Sequence, residues 1–124
     1  MWCFSRAVWE RKNEMKIAML NCLKANDVCT GAGCLRAMNS RTAHFAPYAD
    51  EPLVLVAMAR CSGCEVGIDE GFREKLDRIV SEGAEACHFG VCTVRKDLGR
   101  ECPVITEAAA YLEQRGVRPV RGTH

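Results

Sequence analysis

The sequence predicts an α/β fold, a small parallel sheet of about four strands with helices on both faces, and three observations predict it. The segment "LVLVAM" at residues 53–58 is apolar throughout rather than alternating, the mark of a parallel strand covered on both faces. Strand-length apolar runs take turns along the chain with segments whose apolar residues recur at helical spacing. The chain has 124 residues, the size of one compact domain, and is 48% hydrophobic and 27% charged, enough to fill a core and keep its surface wet.

The elements follow in order. "KIAMLNC", residues 16–22, is a short apolar run that reads as the first strand. A loop rich in Asn, Asp, Thr and Gly comes next, and Leu35, Arg36, Ala37 and Met38 then make a short helix starting near Gly33. "LVLVAMARC", residues 53–61, is expected to be the central strand. Between Asp69 and Glu82 the residues Phe72, Leu76, Ile79 and Val80 fall on one helical face, with Asp69 as the cap and Gly83 as the stop. "EACHFGVC", residues 85–92, is the third strand. Pro103 opens a helix carrying Ile105, Ala108 and Leu112, Gly116 ends it, and "VRPVRGTH" closes the sheet. Such β-α-β units cross over in the right-handed sense and cover both faces.

Charge excludes several functions. Seventeen basic against sixteen acidic residues leave a net charge of +1, with no basic field for nucleic acid. No stretch reaches the roughly 20 apolar residues that span a bilayer, so no membrane partner is expected. Residues 1–14 carry Trp2, Phe4, Val8 and Trp9, which could form one amphipathic turn or an extension outside the core. Arg6 interrupts them, so the continuous apolar core of a signal peptide is missing and a cytoplasmic chain is expected. The domain proper is read as residues 15–124.

Nine cysteines in such a chain favour metal or redox chemistry over a disulfide framework, and the odd number leaves at least one thiol over in any full pairing. In a parallel sheet the carboxyl ends of all strands share one edge, where ligands of open α/β folds bind. There the first strand delivers Cys22, the second Cys61 with Cys64 in its loop, the third Cys92 and the fourth His124. Cys29, Cys34 and Cys102 fall in the following loops or helix starts, on the same edge. A thiolate is the competent metal ligand, and the Cys61-x-x-Cys64 turn, opened by Gly63, lets two sulfurs grip one ion. Cys3 and Cys87 read as packing cysteines, and His88, inside a strand, as a hydrogen-bonded core histidine. His44 reads as loop scaffolding with Phe45 and Tyr48.

Taken together, Cys22-x6-Cys29-x-G-x-G-Cys34, a strand with "CSGC", a strand with "GVC", the "CP" at Cys102 and a closing "GTH" resemble the CGGC-domain family of cysteine-rich, metal-binding proteins. The match runs from Lys16 to His124 and includes the F-x-x-Y of Phe45 and Tyr48. Ser62 stands where the family name has glycine, and Val104 follows "CP". The resemblance implies a metal site, zinc being the usual occupant, on Cys22, Cys29, Cys34, Cys61, Cys64, Cys92, Cys102 and His124. It implies no reaction.

Zinc takes four thiolate or imidazole ligands, so seven thiols and a histidine leave room for two ions or an iron–sulfur cluster. Two alternatives stay open. In a thiol-disulfide oxidoreductase Cys61 would attack and Cys64 resolve, although Glu65 and Asp69 bring negative charge where a depressed thiol is wanted. A nucleotide or flavin site would use the "TGAG" of residues 30–33 as an anion-binding turn, but its glycines do not complete a phosphate fingerprint. The fold expected for all three is a three-layer sandwich of the Rossmann or flavodoxin type.

Overall fold

A computed structural model describes residues 14–63 and 65–124. The expected N-terminal extension up to residue 13, with its aromatic residues and Cys3, lies outside the described residues, as does Cys64.

The chain runs β1 (Met15–Asn21), a 3-10 turn (Leu23–Asp27), α1 (Ala32–Ser40), a second 3-10 turn (Ala43–Tyr48), β2 (Leu53–Arg60) and α2 (Glu70–Ser81). It continues through β3 (Ala86–Phe89), a third 3-10 turn (Val91–Thr93), the two-residue strands β4 (Val94–Arg95) and β5 (Arg100–Glu101), α3 (Pro103–Glu113) and β6 (Arg118–Arg121). Four strands form one sheet in the order β2-β1-β3-β6, every neighbouring pair parallel. The expected small parallel sheet is present, and β4 with β5 adds an antiparallel hairpin beside it.

The two-residue period of the strands sorts the core into two layers. On one face Ala18, Leu20, Cys87 and Phe89 pack against Phe72, Leu76 and Ile79 of α2 and Ile105, Ala108 and Leu112 of α3. On the other, Ile17, Met19 and Ala86 pack against Cys34 and Ala37 of α1 and Phe45 and Tyr48 of the second turn. Helix α2 starts where its cap requires: Asp69 Oδ1 accepts the Phe72 N–H at 2.8 Å. Pro103 occupies the first turn of α3, where its missing N–H costs nothing.

The sheet order corrects the sequence expectation for β2. It is an edge strand, half-buried except at the exposed Met58, and β1 and β3 hold the centre. Continuous apolarity reports that both faces of a strand are covered, and it carries no information on lateral position. The consequence is functional. From β1 the chain moves outward to β2 and then returns past β1 to β3, with α1 on one face and α2 and α3 on the other. Connections leaving β1 and β3 therefore part to opposite faces, which makes the carboxyl ends of these two strands the topological switch point, where open α/β sheets bind ligands.

Candidate functional site

The thiols sit just past the strand ends rather than on them. β1 stops at Asn21, one residue before Cys22, and β2 at Arg60, one before Cys61. β3 stops at Phe89, so Cys92 rides on the 3-10 turn that follows, and β6 stops at Arg121, leaving Gly122, Thr123 and His124 as a terminal strap. Sequence alone reads each strand through to its cysteine, because a buried cysteine continues an apolar run as a small hydrophobe.

Three of these sulfurs accept main-chain hydrogen bonds. The Cys22 N–H donates to Cys92 Sγ at 3.2 Å, the Leu23 N–H to Cys61 Sγ at 3.3 Å and the Gly31 N–H to Cys29 Sγ at 3.3 Å. An amide aimed at sulfur favours the charged form of that sulfur. Cys92 shows the opposing forces most clearly. Burial pushes its thiol up, the Cys22 amide pulls it down, and the thiols of Cys22, Cys29 and Cys34 raise it again. These four cysteines thus share one electrostatic neighbourhood at the switch point.

The terminal strap enters the same neighbourhood. Thr123 is fully buried, with Oγ1 3.1 Å from Cys34 Sγ and 3.1 Å from His124 Nδ1, and the two side chains of Cys34 and His124 approach to 3.8 Å. Cys34 lies in the first turn of α1, and Gly33 beside it permits the approach: a Cβ there would stand 3.0 Å from His124 Nε2. The strap is held from below by His88. Its Nδ1–H donates to the Gly122 carbonyl at 2.9 Å, which leaves Nε2 to accept the Tyr48 hydroxyl at 2.7 Å, and the ring stacks on Phe45 at 4.2 Å. Burial lowers the His88 pKa, as the expected core histidine requires. His44 lies against Gly122 and its N–H meets the Thr123 carbonyl at 3.3 Å, so the 43–48 turn does serve as scaffolding.

Cys61 and Cys102 lie on the other face of the sheet from Cys34. Both are buried in the layer of α2 and α3, Cys102 as the cap residue of α3. Cys87 is fully buried within β3, and burial pushes its thiol up to about 12, as suits a packing cysteine. Cys22, Cys29, Cys34, Cys61, Cys87 and Cys92 are free thiols. Among the described residues no three His, Cys, Asp or Glu side chains are close enough together to hold a metal ion. The donor types fit a thiophilic cation, while the described sulfurs lie near one another without closing into a coordination shell.

Two residues near the site carry no signal that sequence inspection picked out. Thr123 is hidden in "GTH" behind its histidine. Asn21 is a polar residue ending an apolar strand, and at 2% exposure its buried Oδ1 has no hydrogen-bond partner.

Fold and site together define a thiol-rich, doubly wound α/β domain with Cys22, Cys61 and Cys92 just past strand ends at the carboxyl edge of the sheet. Residues 16–124 match the CGGC domain, and the chain belongs to that family. The family suggests a cysteine-rich, metal-binding role. No curated protein and no solved structure matches the chain. No helix among the described residues is long and apolar enough to cross a membrane.

Proposed function

We propose that this protein binds a thiophilic metal through the cysteines at the switch point of its sheet, with zinc as the occupant and an iron–sulfur cluster as the alternative. The observation that carries the proposal is the half-buried Cys92 sulfur, which takes the Cys22 main-chain N–H at 3.2 Å and has the thiols of Cys22, Cys29 and Cys34 as its neighbours. Thiolates are metal ligands, and amides directed at sulfur stabilise them. Cys22, Cys92, Cys29 and Cys34 are the principal ligands in this proposal, with His124 beside Cys34, and with Cys61, Cys64 and Cys102 completing the set. The ligands close around the cation as it binds, since metal binding and local ordering are commonly one event. Bound there, the metal supplies a Lewis acid or an electron carrier, and the chain supplies sulfur, the amides that hold it and a water-excluding floor.

The dithiol oxidoreductase has less support. A reactive Cys61 would need exposure and a helix N-terminus, yet it is 2% exposed and α2 begins only at Glu70. Elemental analysis of full-length protein purified without air, with its visible spectrum, tests the proposal. Stoichiometric zinc, or iron with sulfide and visible colour, is expected. A colourless, metal-free protein with all thiols titratable would refute it.

A further inference from the structure

Asn21 ends β1 in the position that faces α1, on the same side as Ile17 and Met19. Its main-chain carbonyl accepts the Cys61 N–H at 3.0 Å, so the backbone is committed to the β2 side. The side chain points toward β3. The β1–β3 pairing ends with Leu20 opposite Phe89, and the next residues, Asn21 and Gly90, meet so closely that a Cβ on Gly90 would collide with Asn21 Oδ1. That same Cβ would stand 3.4 Å from Cys92 Sγ. The amide oxygen and the central sulfur therefore border one small volume at the switch point, between the residues that precede and follow the strand ends.

A buried carbonyl without a partner is costly, and native proteins leave few of them. Here the unpaired acceptor lies beside Cys92, one of the thiols that the preceding proposal assigns to a cation. Resting on that proposal, we infer that Asn21 completes the thiol site as its oxygen donor, the carbonyl end of the amide facing the bound cation. The inference also narrows the occupant. A single borderline dication of the zinc class accepts sulfur, nitrogen and oxygen donors, whereas an iron–sulfur cluster held by cysteines would leave this oxygen unsatisfied.

The test compares wild-type, Asn21→Leu and Asn21→Asp full-length chains, reduced and handled without air. Cobalt(II) is the visible probe for the zinc class, its affinity measured by chelator competition, and thermal unfolding is recorded on each metal-free chain. Leucine matches the shape of asparagine and removes the stranded acceptor, so metal-free Asn21→Leu should melt at or above wild type. Its cobalt affinity should fall about 10- to 100-fold, the loss seen when a supporting group of a metal site is removed. Aspartate keeps the oxygen and adds charge, so Asn21→Asp should melt below wild type without metal and bind cobalt at least as tightly. The two rankings run in opposite directions, which a residue that merely fills space cannot produce. Unchanged cobalt affinity in Asn21→Leu overturns the inference and leaves the thiol site standing. Parallel losses of melting temperature and affinity in both variants also overturn it. A wild-type chain that takes up no cobalt removes the metal-binding proposal and this inference together.

Discussion

The main-chain N–H of Cys22 donates to the sulfur of Cys92 at 3.2 Å, although the two residues lie 70 positions apart in sequence. Parallel pairing of β1 with β3 brings them together, since it places the first loop after each strand at the same edge. This contact joins the two loops that part at the switch point, and a ligand held there touches both.

Replacing either cysteine should disable the site. Cys22→Ser and Cys92→Ser should each lower metal affinity by at least about 10-fold and reduce the melting temperature of the loaded protein, because metal binding contributes to folding. Cys87→Ala, inside the sheet, should keep full metal content and cost about 1 kcal/mol of packing. Metal content and thermal melts of the three variants check this.

Thiol accessibility offers an independent reading. Cys22 and Cys92 should resist alkylation in the loaded protein and react after chelation, since a bound thiolate is not free. Cys87 should resist in both states because it is fully buried. Peptide mapping after labelling distinguishes them, and equal labelling of Cys22 and Cys92 in both states counts against the site.

His88 makes folding depend on pH. Its pKa in the fold is lowered from the ordinary 6.5, chiefly by burial. The unfolded chain therefore binds the proton more readily, and stability must fall as pH drops below the ordinary value and towards the folded one. Above about pH 7.5 this contribution is flat, because both states are then neutral. His88→Phe should weaken the acid dependence. At neutral pH it should cost about 1–3 kcal/mol, because the Tyr48 hydroxyl and the Gly122 carbonyl lose their partner. Denaturant melts from pH 5 to pH 8 measure both effects.

The terminal strap should matter to metal and fold alike. Thr123→Val removes the hydroxyl shared by Cys34 and His124 and should cost about 0.5–1.5 kcal/mol without metal. Deleting residues 122–124 also strips the carbonyl that His88 holds, and should lower metal affinity by about 10- to 100-fold. Chelator competition on the truncated chain is the check. Unchanged affinity would confine the site to the cysteines.

Local signals carried the fold a long way in the sequence. Asp69 caps α2 because its carboxylate can reach the Phe72 N–H, and Pro103 starts α3 because it needs no donor there. These are interactions between residues a few positions apart. Which strand lies at the edge depends on how helices distribute between the two faces, so the apolar run of β2 pointed to the centre and was misleading. The β4–β5 hairpin has two-residue arms, too short for any alternation to register. At the site, the cysteines were visible because their chemistry is restricted. Asn21 and Thr123 were not, because an amide and a hydroxyl occur everywhere and their meaning comes from burial and from neighbours distant in sequence.

The central claim is that sulfur at the switch point holds a metal, and X-ray absorption at the metal edge of the loaded full-length chain tests it most directly. For zinc, the account predicts a first shell dominated by sulfur at about 2.3 Å, with a smaller nitrogen or oxygen contribution at about 2.0–2.2 Å. The sulfur component should diminish in Cys22→Ser and Cys92→Ser. A first shell made only of nitrogen and oxygen, or a sulfur shell that those substitutions leave untouched, would contradict it.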